Sequence, residues 1–583
     1  MRESFRTLRK YLWRYRGGMA VGFTCLILKD LAQAGQPLMI RGAIDELTRI
    51  VRGVPGGSGF LRFAFFLVGL AILKGILQYW MRVIIIGISR DVEFDLRNDL
   101  FRHLIELSPD YYGRTRTGDI MARATNDLNA VRMMLGPAVM YCFETGLTFV
   151  LAIGIMVSVD WRLALLALIP APIVTVVVIV SGRAIHTRFE RIQEKFSDIS
   201  SRVQENLSGV RMVRAFVQER AEMRRFEELN RDYIAQNVTL VRIDALFDAL
   251  MELLVGITFL VVLWVGGHQV LQGRLSIGGF VMFNTFMGML VWPMIALGWV
   301  VNLIQRGTAS LARINEILKE TPTIQAPPNP VRLEKLRGAI AFHDVSVEYG
   351  SGHAVRGLDL EIPEGSTIAV VGHTGSGKST MASLIPRLMD PTAGTITLDE
   401  IDLRELDPAE LRRHIGFVPQ ETFLFSATIA ENIAFGVDSA TGEEIRRAAE
   451  IAGLSADIEG FPAGYETMVG ERGITLSGGQ KQRTAIARAI LRDPRILILD
   501  DALSSVDTLT EERILTHLAG VMRGRTVLLI SHRVSTVRQA DRIVVLENGR
   551  IVEQGTHREL VESSGYYAGL AQKQTLEEEL EAI

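Results

Sequence analysis

Cysteine is nearly absent from the sequence, since Cys25 and Cys142 are the only two among 583 residues. Both lie in apolar segments, so they predict neither a disulfide framework nor a metal site, and we interpret them as small buried hydrophobic side chains. The net charge of −3 gives no reason to expect a nucleic-acid partner. The first residues do not have the pattern of a secretory signal, so none is expected.

Long apolar runs, in contrast, are abundant. Hydrophobic residues make up 48% of the chain, the mean hydropathy is +0.22, and the excess lies in the first half. Because a helix needs about 20 mainly apolar residues to cross the hydrocarbon core, we predict six membrane spans. They lie near 19–44, 59–88, 135–158, 162–182, 247–271 and 278–304. A short stretch at 159–162 separates the third span from the fourth, which predicts a tight hairpin.

Arginine indicates the side of the membrane on which the intervening segments lie. Two polar, helix-prone stretches at 89–134 and 183–246 are rich in Arg, and residues 2–16 interleave basic with aromatic side chains. The positive-inside tendency places all three in the cytoplasm. The N-terminal segment is predicted to be an interfacial amphipathic helix, with an ordinary solvated helix as the alternative. Six spans then return the C-terminal half to the cytoplasm.

The second half of the chain has a different pattern. A Pro-rich linker at 320–337 separates a membrane domain at 1–319 from a region at 338–583, where short β-branched runs alternate with helical stretches. This alternation predicts an α/β domain with a mainly parallel sheet. The acidic residues at 577–581 are interpreted as a solvated end.

The segment 372–380 (GHTGSGKST) fits the phosphate-binding pattern G-x-x-x-x-G-K-[ST]. It lies between a predicted strand at 366–371 and a predicted helix at 378–388, which is the context that the pattern requires. Glycine lets backbone N–H groups turn toward phosphate oxygens, Lys378 supplies a charge to the β- and γ-phosphates, and the Ser379 hydroxyl can bind Mg²⁺. The predicted phosphate-binding residues are Gly372, Thr374, Gly375, Ser376, Gly377, Lys378, Ser379 and Thr380.

A pair of carboxylates follows the apolar run 496–499. Asp500 is predicted to hold Mg²⁺, directly or through water, and Asp501 to orient an attacking water. A helix N-cap is the structural alternative for this pair. With the phosphate loop, the pair predicts ATP and Mg²⁺ as ligands.

The run Leu476-Ser477-Gly478-Gly479-Gln480 resembles the signature of the ATP-binding-cassette (ABC) family. The other landmarks of an ABC exporter half-transporter appear in order within 338–570. The resemblance implies an α-helical transmembrane domain of six spans joined to an α/β ABC ATPase domain. It also implies individual roles: Tyr349 stacks on adenine, Gln420 senses Mg²⁺, and His532 contacts the γ-phosphate. The segments 467–473 and 504–507 resemble the exporter-specific loop and the loop that crosses to the opposite subunit.

The same resemblance implies that the chain must dimerise. In the family, the signature residues (here Ser477, Gly478, Gly479 and Gln480) complete the ATP site of a second nucleotide-binding domain bound head to tail. One such domain with six spans is half a transporter. Tyr111–Asp127 and Gly209–Phe226 resemble the two coupling regions, and the fusion of both domains with long helical extensions favours an exporter over an importer.

Asp501 departs from the family pattern, which usually has Glu as the catalytic base at this position. Asp is one methylene shorter, and displacing a catalytic group by about 1 Å can lower a rate about a hundredfold. In the family this substitution marks the Asp-carrying, degenerate-site subunit of bacterial heterodimeric multidrug exporters. The expected partner is therefore a different half-transporter with Glu at that position. The alternative is a homodimer in which Asp works well enough.

Charged side chains within membrane spans are costly and usually face a cavity or a partner. The candidates are Lys29, Asp30, Lys74, Glu144, Asp248 and Glu252. The last two share a helix face, and they either attract cationic substrates or lie solvated near the inner interface. Methionines of the last span suit a promiscuous apolar cavity or ordinary helix packing; they are Met282, Met287, Met289 and Met294.

The sequence thus predicts ATP-driven export of amphipathic small molecules, of the multidrug type, across the cytoplasmic membrane. The chain would act as one subunit of a heterodimer with one slow ATP site, in contact with membrane lipid. A homodimeric lipid flippase is one alternative. An ATP-gated regulatory membrane protein that does not pump is another, disfavoured by the intact site residues. The six spans exclude a soluble DNA-repair ATPase.

Overall fold

The computed structural model describes residues 2–52, 59–333, 336–350, 352–470, 473 and 476–581. The chain forms two compact units. The helical unit comprises Met1–Glu106 and Arg116–Glu320, and the α/β unit comprises Leu107–Thr115 and Thr321–Ile583.

Long helices build the helical unit. Their bounds are α1 Arg2–Arg14, α2 Arg16–Val51, α3 Gly59–Glu106, α5 Thr117–Val159, α6 Trp161–Ser208, α7 Val210–Ala215, α8 Glu219–Leu271 and α9 Ile277–Lys319; the short α4, Pro109–Arg114, belongs to the α/β unit. Within the described residues, α3, α5, α6, α8 and α9 are long and apolar enough to cross a membrane. The predicted polar stretches are mostly helical continuations of these spans.

The first predicted span, 19–44, lies within α2, a continuous helix of 36 residues. It is not among the five helices with a sufficiently apolar stretch, because Lys29, Asp30 and two glutamines dilute its hydrophobic run. The predicted hairpin between the third and fourth spans is confirmed. There the Asp160 carboxylate caps α6 by accepting hydrogen bonds from the N–H groups of Arg162 and Leu163, each at 2.9 Å.

The N-terminal segment is helical, as predicted. Leu8 and Tyr11 of α1 are buried, and the Tyr11 hydroxyl donates to Asp99 of α3 at 2.7 Å. The apolar side of α1 therefore packs partly on protein. The prediction that both cysteines are buried is wrong, since Cys25 is half-buried and Cys142 is exposed. Cys142 lies on an exposed side of α5, and an apolar span does not require protein cover on every side because lipid can solvate it.

The α/β unit contains two sheets. The strands are β1 Ile340–Tyr349, β2 Gly352–Ile362, β3 Thr367–Val371, β4 Ala393–Leu398, β5 Ile401–Asp402, β6 Ile415–Val418, β7 Ile496–Asp500, β8 Thr526–Ile530, β9 Arg542–Glu547 and β10 Arg550–Gly555. An antiparallel sheet has the order β2-β1-β4-β5, and a six-stranded sheet has the order β10-β9-β3-β8-β7-β6. The latter is parallel except where β10 pairs with β9, which confirms the predicted mainly parallel sheet.

The α/β unit also contains helices. They are α10 Lys378–Leu384, α11 Pro408–Arg413, α12 Ile429–Ala434, α13 Gly442–Ile451, α14 Ser455–Glu459, α15 Gly478–Leu491, α16 Thr508–Met522, α17 Val534–Val537, α18 His557–Glu562 and α19 Tyr566–Glu581. Strands β3, β7 and β8 are almost wholly buried. Since parallel strands end at one edge, the residues that follow them lie close together there.

Candidate functional site

The phosphate loop leaves the buried end of β3 and enters α10 at Lys378. Three of its glycines have left-handed backbones, with φ of +153° at Gly372, +82° at Gly375 and +102° at Gly377. A Cβ at Gly372 would collide with the Leu546 carbonyl, and one at Gly377 with the Ala354 carbonyl. Glycine is therefore required at these two positions by both conformation and space. The predicted strand and helix are confirmed, although α10 ends at Leu384 rather than at 388.

Two side chains of the loop are buried. Lys378 is 7% exposed, and its ammonium donates to the carbonyls of Gly372 at 2.9 Å and His373 at 2.8 Å. Burial lowers the pKa of Lys378, while the carboxylates of Asp500 and Asp501 act in the opposite direction. The Ser376 hydroxyl is buried without a hydrogen-bond partner among the described residues. A buried polar atom without a partner is costly, so this loop fits an oxygen-rich ligand such as phosphate.

The Mg²⁺ ligands predicted from the sequence are adjacent. Asp500, at the end of β7, is 4% exposed, and the Ser379 hydroxyl donates to its carboxylate. Burial raises the pKa of Asp500, whereas the bond from Ser379 and the charge of Lys378 lower it. In the described part of the chain, no three or more His, Cys, Asp or Glu side chains are arranged to hold a metal ion by themselves. Mg²⁺ usually takes one or two protein ligands beside phosphates, so Ser379 and Asp500 fit it.

Strand register brings Gln420 and His532 to the same edge. Val418 pairs with Leu499 and Asp500 with Ile530, so both residues lie two positions beyond a strand end. Gln420 is exposed. Burial lowers the pKa of His532, as does Lys378, while Asp501 and Asp500 raise it. The lowered pKa favours the neutral imidazole, which lies close enough to these groups to interact with them.

Asp501 has a left-handed backbone, with φ of +49°. Its N–H donates to the Ile530 carbonyl at 2.9 Å, and its carbonyl accepts from the Ser504 hydroxyl at 3.0 Å. Asp is one of the few residues besides glycine that tolerate this conformation. The alternative role as a helix N-cap does not apply, because the next helix is capped by Asp507, which accepts from the Thr510 N–H at 2.9 Å.

The signature residues form the start of α15. Ser477 caps the helix by accepting from the Gln480 N–H at 3.3 Å, and the Gln480 side chain accepts from the Ser477 N–H at 3.0 Å. A Cβ on Gly479 would lie 3.0 Å from the Ser505 carbonyl. No hydrogen bond within the described residues joins the side chains of 477–480 to Lys378, Asp500 or His532. The exporter-type segment 467–473 packs beside residues 427–429, but Glu471 and Arg472 lie outside the described residues.

Tyr349 lies at the end of β1 in the antiparallel sheet and is 52% exposed. Its hydroxyl contacts the Met389 sulfur at 3.1 Å. Thr374 is also exposed, and Thr380 is half-buried in the first turn of α10. The ring of Tyr349 is exposed and can stack on a base. Among the described residues, the Tyr349 hydroxyl makes no hydrogen bond to the phosphate loop.

Sequence reasoning missed a buried glutamine that links the signature helix to the catalytic edge. Gln482 is 5% exposed, donates to the Ser504 hydroxyl at 2.9 Å and accepts from the Ser505 N–H at 2.9 Å. It also missed the ion pair between Arg533 and the buried Glu511. Both contacts connect segments more than twenty residues apart, and no local pattern indicates them.

In the helical unit, three of the predicted span charges pair with one another. The Lys29 ammonium lies 2.6 Å from both Asp30 Oδ1 and Glu144 Oε1, and Lys29 is 1% exposed. Lys74 is half-buried, and Asp248 and Glu252 are exposed. Among the methionines, Met282 is fully buried in the core, whereas Met287 and Met294 line a small apolar cavity of about 30 Å³.

Both predicted coupling regions leave large side chains exposed, and in the first region Tyr112 is 43% and Met121 57% exposed. Helix α4 belongs to the α/β unit, where the Ser108 hydroxyl accepts from the Ile324 N–H at 3.2 Å. The second region leaves large apolar side chains exposed, among them Met212 at 60%, Phe216 at 66% and Val217 at 79%. An exposed apolar patch of this kind is typical of an interaction surface.

Comparison with known proteins agrees with this geometry. Residues 19–294 match the model of the ABC transporter transmembrane region, and residues 355–504 match that of the ABC transporter. The chain is 37% identical over 581 residues to the probable multidrug resistance ABC transporter ATP-binding/permease protein YheI of Bacillus subtilis, covering 98% of each chain. It is 34% identical over 583 residues to an ATP-dependent lipid A-core flippase of Syntrophus aciditrophicus, covering 99% of this chain and 96% of the flippase.

A third relative is the multidrug resistance-like ATP-binding protein MdlA of Escherichia coli, which is 36% identical and aligns with 97% of this chain and 95% of its own length. Among solved structures, a bacterial Atm1-family ABC exporter with ATP bound aligns with a TM-score of 0.78 and 28% identity. That alignment covers 96% of this chain and 99% of the exporter chain.

Proposed function

The chain belongs to the ABC transporter family, as a membrane-spanning exporter with a cytoplasmic ATPase domain, and from this premise we propose that it is the slow-site subunit of a heterodimeric exporter of amphipathic small molecules. The observation that carries the proposal is Asp501, which occupies the position of the catalytic base in a site otherwise complete. Lys378, Asp500 and His532 surround it, and Ser477 begins an intact signature helix.

In this proposal each residue of the site has a separate role. Lys378 and the loop N–H groups bind the phosphates of ATP, Ser379 and Asp500 hold Mg²⁺, and neutral His532 donates to the γ-phosphate. Mg²⁺, when bound, offsets charge on the phosphate oxygens. Asp501 orients the attacking water, but its carboxylate starts one methylene further away than that of Glu. Ser477 and Gly479 serve the ATP held by the partner, and that composite site turns over faster.

The apolar, methionine-rich lining of the helical unit supports the proposed cargo. Met251, Met287 and Met294 line the small apolar cavity together with Phe259. Flexible thioether side chains adapt to apolar ligands of different shapes. The proposal also draws on the multidrug names of two relatives. The exposed apolar side chains of 209–226 support a second subunit that covers them.

The experiment that tests the slow site uses the full-length chain in the complex isolated from its host membrane. Radiolabelled azido-ATP is photo-crosslinked, and the fraction converted to ADP on this chain is resolved from that on the partner. Asp501→Glu is expected to raise conversion on this chain by about ten- to a hundredfold, and the matched Asp501→Asn to abolish it. No gain in Asp501→Glu would mean that Asp is already an efficient base and would exclude the slow site.

Native mass spectrometry of the same complex tests the partner. A mass equal to this chain plus a different half-transporter is expected. A mass of twice 64.7 kDa would refute the heterodimer. In the heterodimer, Lys378→Ala should lower overall turnover less than removal of the partner's catalytic Glu, and equal losses would argue against an asymmetric cycle.

A homodimeric lipid flippase is the second candidate, because one relative of nearly full coverage carries the name lipid A-core flippase. Reconstituted vesicles separate the candidates. ATP-dependent uptake of an apolar fluorescent cation supports the multidrug proposal, whereas movement of a labelled lipid between leaflets without dye uptake supports the flippase.

A further inference from the structure

The C-terminal helix α19 contacts the backbone on both sides of Arg533, immediately after His532. The Gln574 amide nitrogen donates to the His532 carbonyl at 2.7 Å, and the Gln574 amide oxygen accepts from the Val534 N–H at 2.7 Å. One carboxamide therefore fixes two backbone groups of the segment that follows β8. The two partners determine which way the Gln574 carboxamide is turned. Its NH₂ group must face the His532 carbonyl, and its oxygen must face the Val534 N–H.

Helix α19 is itself firmly anchored at its start. Tyr567 is fully buried among residues of β3 and β9, and its hydroxyl bonds to His557 at 2.8 Å. The Glu553 carboxylate accepts from the N–H groups of Tyr566 at 2.5 Å and Tyr567 at 3.3 Å. A helix held this way at one end can position a side chain two turns further along.

The same helix also contacts the phosphate loop. The Tyr566 ring meets the His373 ring edge to face, with centroids 4.7 Å apart. The His373 carbonyl is one of the two that bind the Lys378 ammonium. Helix α19 thus contacts both segments that the proposed function places at the γ-phosphate, the loop of Lys378 and the segment of His532.

We propose that Gln574 is a positioning residue for ATP hydrolysis, which holds His532 at the γ-phosphate by fixing the backbone at 532 and 534. The inference rests on the role given to His532 in the proposed function. Catalytic groups need supporting hydrogen bonds to stay within about 0.5 Å of the productive geometry. Packing does not supply that support, since Gln574 borders an open cavity of about 860 Å³ between α17, α18 and α19.

The test measures conversion of photo-crosslinked azido-ATP to ADP on this chain, in the full-length complex and under single-turnover conditions. Gln574→Glu keeps the acceptor for the Val534 N–H but turns a carboxylate oxygen toward the His532 carbonyl. We expect it to slow conversion about tenfold. A displacement of a catalytic group by about 1 Å can lower a rate about a hundredfold, and we expect the variant to displace His532 by a fraction of that distance. Gln572→Ala, on the same helix and beside the same cavity, is the matched control and should convert at the wild-type rate.

A double-mutant cycle separates positioning from general stability. Gln574→Glu is expected to cause no further loss in a His532→Ala background, because residues that act through one another are not additive. An equal loss in both backgrounds, or a wild-type rate in Gln574→Glu, would overturn the inference alone. Unchanged conversion in His532→Ala would overturn both the inference and the role of His532. Because Glu is nearly isosteric with Gln, the variant replaces the hydrogen-bond donor without changing the size of the side chain.

Discussion

Helices α10 and α15 of the α/β unit both begin at glycine-rich segments, but their first residues differ in which polar groups already have hydrogen-bond partners. At α10, the loop has left-handed glycines and a buried Lys378, and the Ser376 hydroxyl has no hydrogen-bond partner among the described residues, so a ligand can satisfy it. At α15, Ser477 and Gln480 satisfy each other's backbone N–H groups. This contrast fits the proposal that the start of α10 binds this chain's own nucleotide, whereas the start of α15 serves the nucleotide held by a partner. Four predictions test this contrast.

The largest expected effect is at Lys378. Lys378→Ala removes the charge from the loop of α10, and the loss of a charged hydrogen bond lowers affinity about tenfold or more. Photo-labelling of this chain by azido-ATP should fall accordingly. Lys481→Ala, which removes a lysine from the first turn of α15, should leave that labelling unchanged. Equal losses in the two variants would mean that both helix starts hold this chain's own nucleotide.

The second effect distinguishes the glycines of the loop from one another. Gly375 has open space around its Cα, so Gly375→Ala carries only the left-handed backbone strain of about 1–2 kcal/mol. Gly377→Ala adds a collision with the Ala354 carbonyl and should lower the Tm of the chain further. Thermal unfolding of both variants checks the order, and a smaller shift for Gly377→Ala would contradict the close approach described for that loop.

The third effect concerns the cap of α15. Ser477→Ala should destabilise the α/β unit by about 1 kcal/mol, whereas Ser477→Asn should keep most of the cap. Both variants should slow hydrolysis of the ATP held by the partner while labelling of this chain stays unchanged. Loss of labelling on this chain would show that the signature serves its own site.

The smallest effect is a pH dependence. Burial and Lys378 place the pKa of His532 below its usual 6.5. At a pH between the pKa of His532 in the folded chain and 6.5, the unfolded chain binds more protons than the folded chain. The free energy of unfolding therefore decreases as the pH drops through this range. The Tm should therefore decrease less on acidification in His532→Gln than in the wild type. The two curves should run parallel above about pH 7, where the unfolded histidine is mostly neutral.

Much of the fold and site follows from local sequence. Gly372–Thr380 and Asp500 lie in short motifs whose backbone demands are strict, and the apolar runs predict most of the spans. The contacts of Gln482, Glu511 and Gln574 could not be predicted, because each joins segments that only the tertiary fold brings together. The exposure of Cys142 was missed for a related reason. An apolar segment predicts a span but does not predict which of its sides meets protein.

The buried ion cluster of Lys29, Asp30 and Glu144 has a consequence for how the chain is made. A Lys or Asp at the centre of a membrane helix opposes insertion by about 2.5–3.5 kcal/mol each. Helix α2 leaves the ribosome well before α5, which supplies Glu144. We expect α2 to insert poorly alone and well when α3 and α5 are present, which glycosylation mapping of truncated chains can measure. Helix α2 lacks the strongly apolar stretch that the five span helices contain. We therefore expect membrane insertion of this chain to be cooperative, with an early helix stabilised in the membrane only after a later helix supplies the opposite charge.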